Sequence, residues 1–234
     1  MAGVLSTLLM PIPLPEGVEL PMPLWVAKLL NLIQPTLLLT LAVWAGTKLA
    51  PSVGLDAPLL RATAEDEDVV ATFQQQICPA AIGTILGGIV LFVASVFAPP
   101  ELAEAGKQFQ PPFLVRLLYG GITEEILLRW GLMTVLLWGG WRVFQGKDRS
   151  PHPALAWTAI LLSALLFGAG HLPMAIQLVG DLTVEVLIYV LAGNTVFGIV
   201  AGYLYWRWGL ETAILAHAGA HVIAFLGANL PAPV

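Results

Sequence analysis

Six apolar segments limit what this chain can fold into. They cover residues 24–50 (broken by Lys28 and Pro35), 78–98, 113–138, 155–171, 183–206 and 210–228. Each falls in or above the range of about 17–25 residues with which an α-helix crosses a bilayer. The apolar runs are continuous rather than alternating, which argues against the strands of an outer-membrane barrel. Trp25, Trp138, Trp141, Tyr205, Trp206 and Trp208 stand at segment ends, as an interfacial aromatic belt requires. The expected fold is all-α: a polytopic transmembrane helical bundle of about six spans, one domain overall, integral to the cell (inner) membrane.

Composition agrees. Hydrophobic residues make up 58% of the 234 and charged residues only 11%, against about 25% charged in soluble domains. A disordered chain needs more charge. A nucleic-acid binder needs a basic stripe, and here 10 Lys and Arg sit in a chain of net charge −5. Cys78 is the single cysteine, so neither an internal disulfide nor a Cys-rich metal site is expected. Residues 1–23 read as a Pro-rich interfacial leader. They carry no Lys or Arg, unlike the charged start of a cleaved signal peptide. Residues 24–98 hold two N-terminal spans, and residues 110–228 hold the chemically interesting core. The acidic run Glu65–Asp68 reads as a solvated loop, and residues 146–153 as a polar turn. With six spans, Lys48, Arg61, Arg142, Lys147, Arg149 and Arg207 share one face, and Lys107 and Arg116 the other. The richer face is expected to be cytoplasmic, with both termini outside.

The informative residues are those that do not suit a membrane. The third segment contains Glu124, Glu125 and Arg129. Each central charge costs about 2.5–3.5 kcal/mol on insertion scales, so three unpaired ones would cost on the order of 8–10 kcal/mol. Glu125 and Arg129 are four apart and can pair on one helix face. Glu124 lies about 100° around an α-helix from Glu125 and can meet a different neighbour. The fourth segment ends Phe167-Gly168-Ala169-Gly170-His171, where the glycines let another backbone approach. In the sixth, His217 and His221 lie at i, i+4, on one face, with small residues between them. Lys28 and Glu185 are expected to snorkel, Asn194 to bond between helices, and His152 to stand apart.

These residues give the sequence a resemblance to the CAAX-protease and bacteriocin-processing (CPBP, or Abi) family of intramembrane endopeptidases, which includes the type II CAAX prenyl endopeptidases. The family's marks are a Glu pair followed by Arg, a Phe followed by His, and a late His followed by a polar residue. They resemble Glu124, Glu125 and Arg129, then Phe167 and His171, then His217 and His221. The likeness spans about residues 110–228. His221 stands where the family commonly has Asn, and the N-terminal half carries no family mark.

The resemblance implies a protease acting on a membrane-tethered peptide or protein within the bilayer. It implies that Glu124 with His171 activates water, that His217 and His221 hold the oxyanion, and that Glu125 with Arg129 fixes the site. It favours a mechanism with no obligatory metal. The rival is a zinc site: His171, His217, His221 and Glu124 form a sufficient ligand set, although HExxH is absent. Two other classes stay open from the residues alone. Intramembrane Glu and His also build proton-coupled transporters, and a silent scaffold would bind peptides without cutting them.

Overall fold

The structure is a computed structural model that describes residues 1–12, 21–146 and 149–229. Part of the Pro-rich leader and Lys147 lie outside the described residues. Every regular element among the described residues is helical. In chain order they are α1 (Ala2–Ser6), α2 (Leu24–Leu30), α3 (Ile33–Leu49), α4 (Pro58–Ala64), α5 (Val69–Val96), α6 (Pro100–Gln108) and α7 (Phe113–Val115). Two π-helical stretches follow, π1 (Arg116–Glu124) and π2 (Ile126–Met133), and then α8 (Thr134–Phe144). The chain closes with α9 (Pro153–Gly170), α10 (Leu172–Val179), α11 (Val184–Trp208) and α12 (Leu210–Ala228).

Among the described residues, five helical stretches are long and apolar enough to cross a membrane. They are Leu24–Val53, Val69–Val96, Pro153–Val179, Val184–Trp208 and Leu210–Ala228. The remaining expected span, the third, is helical through residues 113–144 but carries the buried charges. About six spans is therefore consistent with the architecture. The second span begins earlier than its apolar run suggests, because the Asp68 carboxylate accepts from Ala71 N at 2.9 Å and caps α5.

Close contacts set the helix directions. Gly121 abuts Ala218, and the Phe113 ring meets Phe225 at 4.4 Å, so residues 113–144 run antiparallel to α12. Gly83 meets Ala216 and Gly87 meets Ala220, so α5 runs parallel to α12. Gly198 abuts Ala164 and Gly202 abuts Ile160, so α9 and α11 are antiparallel. A first face of the bundle thus gathers the ends of α3, α8 and α11 with the starts of α5, α9 and α12. The second face gathers their opposite ends and α6. Gly209 makes the α11–α12 turn with φ 96°, a left-handed value that suits glycine. There Leu210 N donates to Asp56 O at 3.0 Å, tying the turn to the segment before α4.

The main core lies between π2, α8, α9, α11, α12 and the turn after α3, around Met133, Leu137, Ile160, Ala201 and Tyr205. Many large apolar side chains face outward, including Leu41, Phe92, Leu166 and Ile188. That distribution suits a bilayer rather than water. α1 packs beside π1, with Val4 fully buried.

Several smaller expectations meet detail here. The acidic loop is occupied by Arg61, which pairs with Asp56 at 2.9 Å, Glu67 at 2.7 Å and Glu65 at 3.5 Å. Asp56 first, then Glu67, hold its guanidinium above its ordinary value. His152 caps α9, its Nδ1 accepting from Ala154 N at 3.2 Å. Among the described residues Asn194 makes no bond between helices. Its amide donates to Val190 O at 2.8 Å, one turn back on α11, where its own carbonyl ladder is nearest. The α9–α11 seam is joined instead by Thr195, whose hydroxyl reaches Ala164 O at 3.4 Å. Gly168 touches Leu191 there, whereas Gly170 faces open space.

Candidate active site

The third helical segment departs from α geometry where its charges lie. π-Helix is rare, bonds i→i+5 and is frequent at functional sites. Side chains reinforce that spacing. Thr123 Oγ1 donates to Leu118 O at 3.2 Å and Thr134 Oγ1 to Arg129 O at 3.2 Å, both across five residues. The 3.6-residue geometry expected for Glu124 to Arg129 therefore does not hold. The pairing of Glu125 with Arg129 survives because the two side chains still reach each other.

Glu125 is fully buried and joins its own helical segment to α12. Its Oε2 lies 3.1 Å from Arg129 Nε, and its Oε1 lies 2.7 Å from Nδ1 of His217 on α12. Arg129 is also fully buried, and its Nη2 donates to Gly198 O on α11 at 3.2 Å. Its guanidinium carbon sits 5.1 Å from the Phe167 ring centroid, a cation–π contact. These partners answer the insertion cost of the charges: the carboxylate and guanidinium neutralise each other and each has a further polar contact.

Glycines and aromatics shape the surroundings. A Cβ on Gly121 would lie 2.9 Å from Ala218 Cα, so only glycine lets π1 approach α12 this closely. That approach brings Glu125 to His217. Phe197 packs at 4.5 Å from the His217 ring, and Phe167 at 6.2 Å. His221 stacks on His217 with centroids 4.9 Å apart, confirming that the two share a face. Gly120 abuts His221 Nε2.

His171 lies just past α9. Its Nδ1 is 2.9 Å from Phe167 O, an acceptor, so Nδ1 carries the proton and Nε2 keeps a lone pair. Its ring meets Phe167 edge-on at 4.8 Å. Phe167 thus touches His171, Arg129 and His217. Glu124 is partly exposed and makes no hydrogen bond or ion pair with the described residues.

A cavity of about 400 Å³ opens on the second face. Its lining includes Thr7, Lys28, Asn31, Tyr119, Met174 and Gln177. Tyr119 stands five residues before Glu124, one π-type step, and Met174 stands three after His171. Lys28 does not simply snorkel: its Nζ donates to Leu8 O at 2.7 Å and ties α2 to the N-terminal segment.

The structure thus brings Glu125, Arg129, His217 and His221 together, with His171 joined through Phe167. Among the described residues no three His, Cys, Asp or Glu side chains converge closely enough to hold a metal ion. Sequence reasoning missed the Glu125–His217 bond and the supporting pair Thr134 and Tyr205, whose hydroxyls meet at 2.8 Å. Hydroxyl-bearing residues facing each other from two apolar spans were the available signal.

Fold and site together define a polytopic helical protein with a buried carboxylate–histidine–arginine centre. Residues 107–223, half of the chain, match the family of type II CAAX prenyl endopeptidases described as Rce1-like. The chain belongs to that family, and with it to integral membrane proteins whose activity is proteolytic. Comparison with curated proteins and with solved structures gives no match.

Proposed function

We propose that this protein is an intramembrane endopeptidase that cuts membrane-tethered peptides or proteins with a glutamate-activated water. One observation carries the reading. Glu125 is committed on both oxygens, to Arg129 and His217, while its neighbour Glu124 makes no hydrogen bond or ion pair with the described residues. One carboxylate is built in and the other is available for proton chemistry.

The steps follow from the chain's own groups. Glu124 takes a proton from water, with His171 Nε2 accepting a hydrogen bond from the same water. The water oxygen attacks the scissile carbonyl carbon, and the carbonyl oxygen becomes an oxyanion. His217, oriented through Nδ1 by Glu125, donates to it from Nε2. His221, stacked alongside, supplies a second donor. Glu124 then passes its proton to the leaving nitrogen as the C–N bond breaks. The cavity beside Tyr119 and Met174 is the proposed approach for the substrate. No obligatory metal is assigned to this sequence of steps.

The test is cleavage of membrane-tethered peptides by the wild type and by Glu124→Gln, His171→Ala and His217→Ala. The expected result is loss in all three variants. Equal cleavage by all four proteins overturns the protease reading, and substrate binding without cleavage in any of them supports a scaffold. Chelation followed by metal add-back belongs in the same assay. Loss of activity with metal-specific recovery replaces the metal-free mechanism with a metal-dependent one.

A further inference from the structure

A second cavity of about 400 Å³ opens on the first face of the bundle, lined by the segment around α4, by α5 and by the α11–α12 turn. Arg61, Gln76, Trp206, Arg207 and Trp208 contribute to its wall. Gln76 is 2% exposed, yet neither its amide nitrogen nor its amide oxygen has a hydrogen-bond partner among the described residues. Packing does not explain a glutamine there. The other buried positions of α5 are Ala80, Gly83, Gly87 and Gly88. A buried amide with both ends open is matched by a ligand that offers an acceptor and a donor.

Charge narrows the ligand. Arg207 is exposed, lies 5.6 Å from the Trp206 ring centroid and has no carboxylate partner among the described residues. Arg61, in contrast, is shared by Asp56, Glu65 and Glu67, which leaves a surplus of carboxylate beside the cavity. A simple anion would meet that surplus, and a simple cation would meet Arg207. A zwitterion satisfies both. Trp206 and Trp208 place the cavity at head-group depth. Further along α5, Ile77, Ile82 and Ile85 are exposed and apolar.

We propose that this cavity binds the head group of a zwitterionic aminoethyl phosphodiester lipid. Arg207 and the Gln76 Nε2 donate to the phosphate. Gln76 Oε1 and Asp56 accept from the ammonium, and the acyl chains follow the exposed isoleucines of α5. The site is separate from the Glu125–His217 centre and does not depend on the proteolytic reading.

The experiment is native mass spectrometry of the delipidated full-length protein in detergent. The probes are dihexanoyl phosphatidylethanolamine, dihexanoyl phosphatidylglycerol, glycerophosphoethanolamine and inorganic phosphate. The ethanolamine lipid is expected to bind at least tenfold more tightly than each of the others. Arg207→Gln and Gln76→Leu are each expected to weaken it at least tenfold, with the thermal midpoint checked for both. Arg207 is exposed, so its variant keeps the test decisive if the buried one fails to fold. Unchanged binding by the Arg207 variant overturns the proposal. So does equal binding of phosphatidylglycerol, which removes the need for the ammonium. Equal binding of glycerophosphoethanolamine or phosphate makes this a site for a free soluble ligand, and displacement of the lipid by a cleavable peptide makes it a substrate site. Either result also overturns the proposal.

Discussion

At the scale of the residue, adjacent glutamates have opposite situations. Glu125 is fully buried and bound to Arg129 and His217. Glu124 is partly exposed and unpaired among the described residues. Their substitutions should therefore separate activity from stability. Glu124→Gln is expected to cut cleavage by about 10²–10⁴-fold, the usual contribution of a general base, with little change in the thermal midpoint. Glu125→Ala is expected to lower stability by about 3–5 kcal/mol, because it strands a buried guanidinium. Peptide cleavage and thermal unfolding in the same detergent check both; a Glu124 variant that unfolds easily but still cuts when folded would sink the assignment. The residues themselves were legible in the sequence, since three charges inside an apolar run demand partners. The Arg129 partner was legible too, being on the same helix. His217 as a partner was not, because a bond across 92 positions depends on the relative depth of two helices, which the residue pattern does not encode.

At the scale of the element, the site rests on close helix approach and on a π-helical segment. Gly121→Val would push a branched side chain into the Ala218 backbone. Overpacking costs about 1–3 kcal/mol, and it should separate Glu125 from His217 as well. Lower stability and lost cleavage are expected together. Gly139→Ala is the control, since nothing lies within 4 Å of its added Cβ. It should be neutral or slightly stabilising by about 0.4–1 kcal/mol. If both variants behave alike, close π1–α12 contact is not what holds the site. The Thr134–Tyr205 bond tests the join between α8 and α11. Thr134→Val leaves the buried Tyr205 hydroxyl unpaired, at about 1–3 kcal/mol, whereas Tyr205→Phe leaves the Thr134 hydroxyl on Arg129 O and should cost less. The double variant should cost less than their sum, measured by denaturation of all four proteins. Span positions were legible because apolar length alone defines them. π geometry was not: the i→i+5 register carries no composition signal and is fixed here by α1, α12 and the threonine bonds packed around it.

At the scale of the whole molecule, the helix directions turn a charge count into a topology. Among the described residues, the first face carries Lys48, Arg61, Arg142, Arg149 and Arg207, and the second carries Lys28, Lys107 and Arg116. Lys28 joins the second face because α2 begins there, beside the cavity it lines. The excess on the first face favours a cytoplasmic position for it. The cavity beside Tyr119 and Met174 then opens to the opposite side, and His171, past the end of α9, lies toward it. This orientation bears on the substrate, because a prenylated protein tail would reach the enzyme from the cytosol. Alkaline phosphatase, which is active only outside the cytoplasm, is the reporter to fuse after Glu65 and, separately, after Asn229. Inactivity at Glu65 with activity at Asn229 is the expected pair. In that case substrates enter from the outer side, which fits leader or other membrane peptides better than cytosolic prenylated tails. The reversed pair places the cavity on the cytosolic side and makes a prenylated C-terminal segment the substrate to try first. Activity at both positions breaks the odd number of crossings between them, and would show that residues 113–144 do not traverse the membrane as one span.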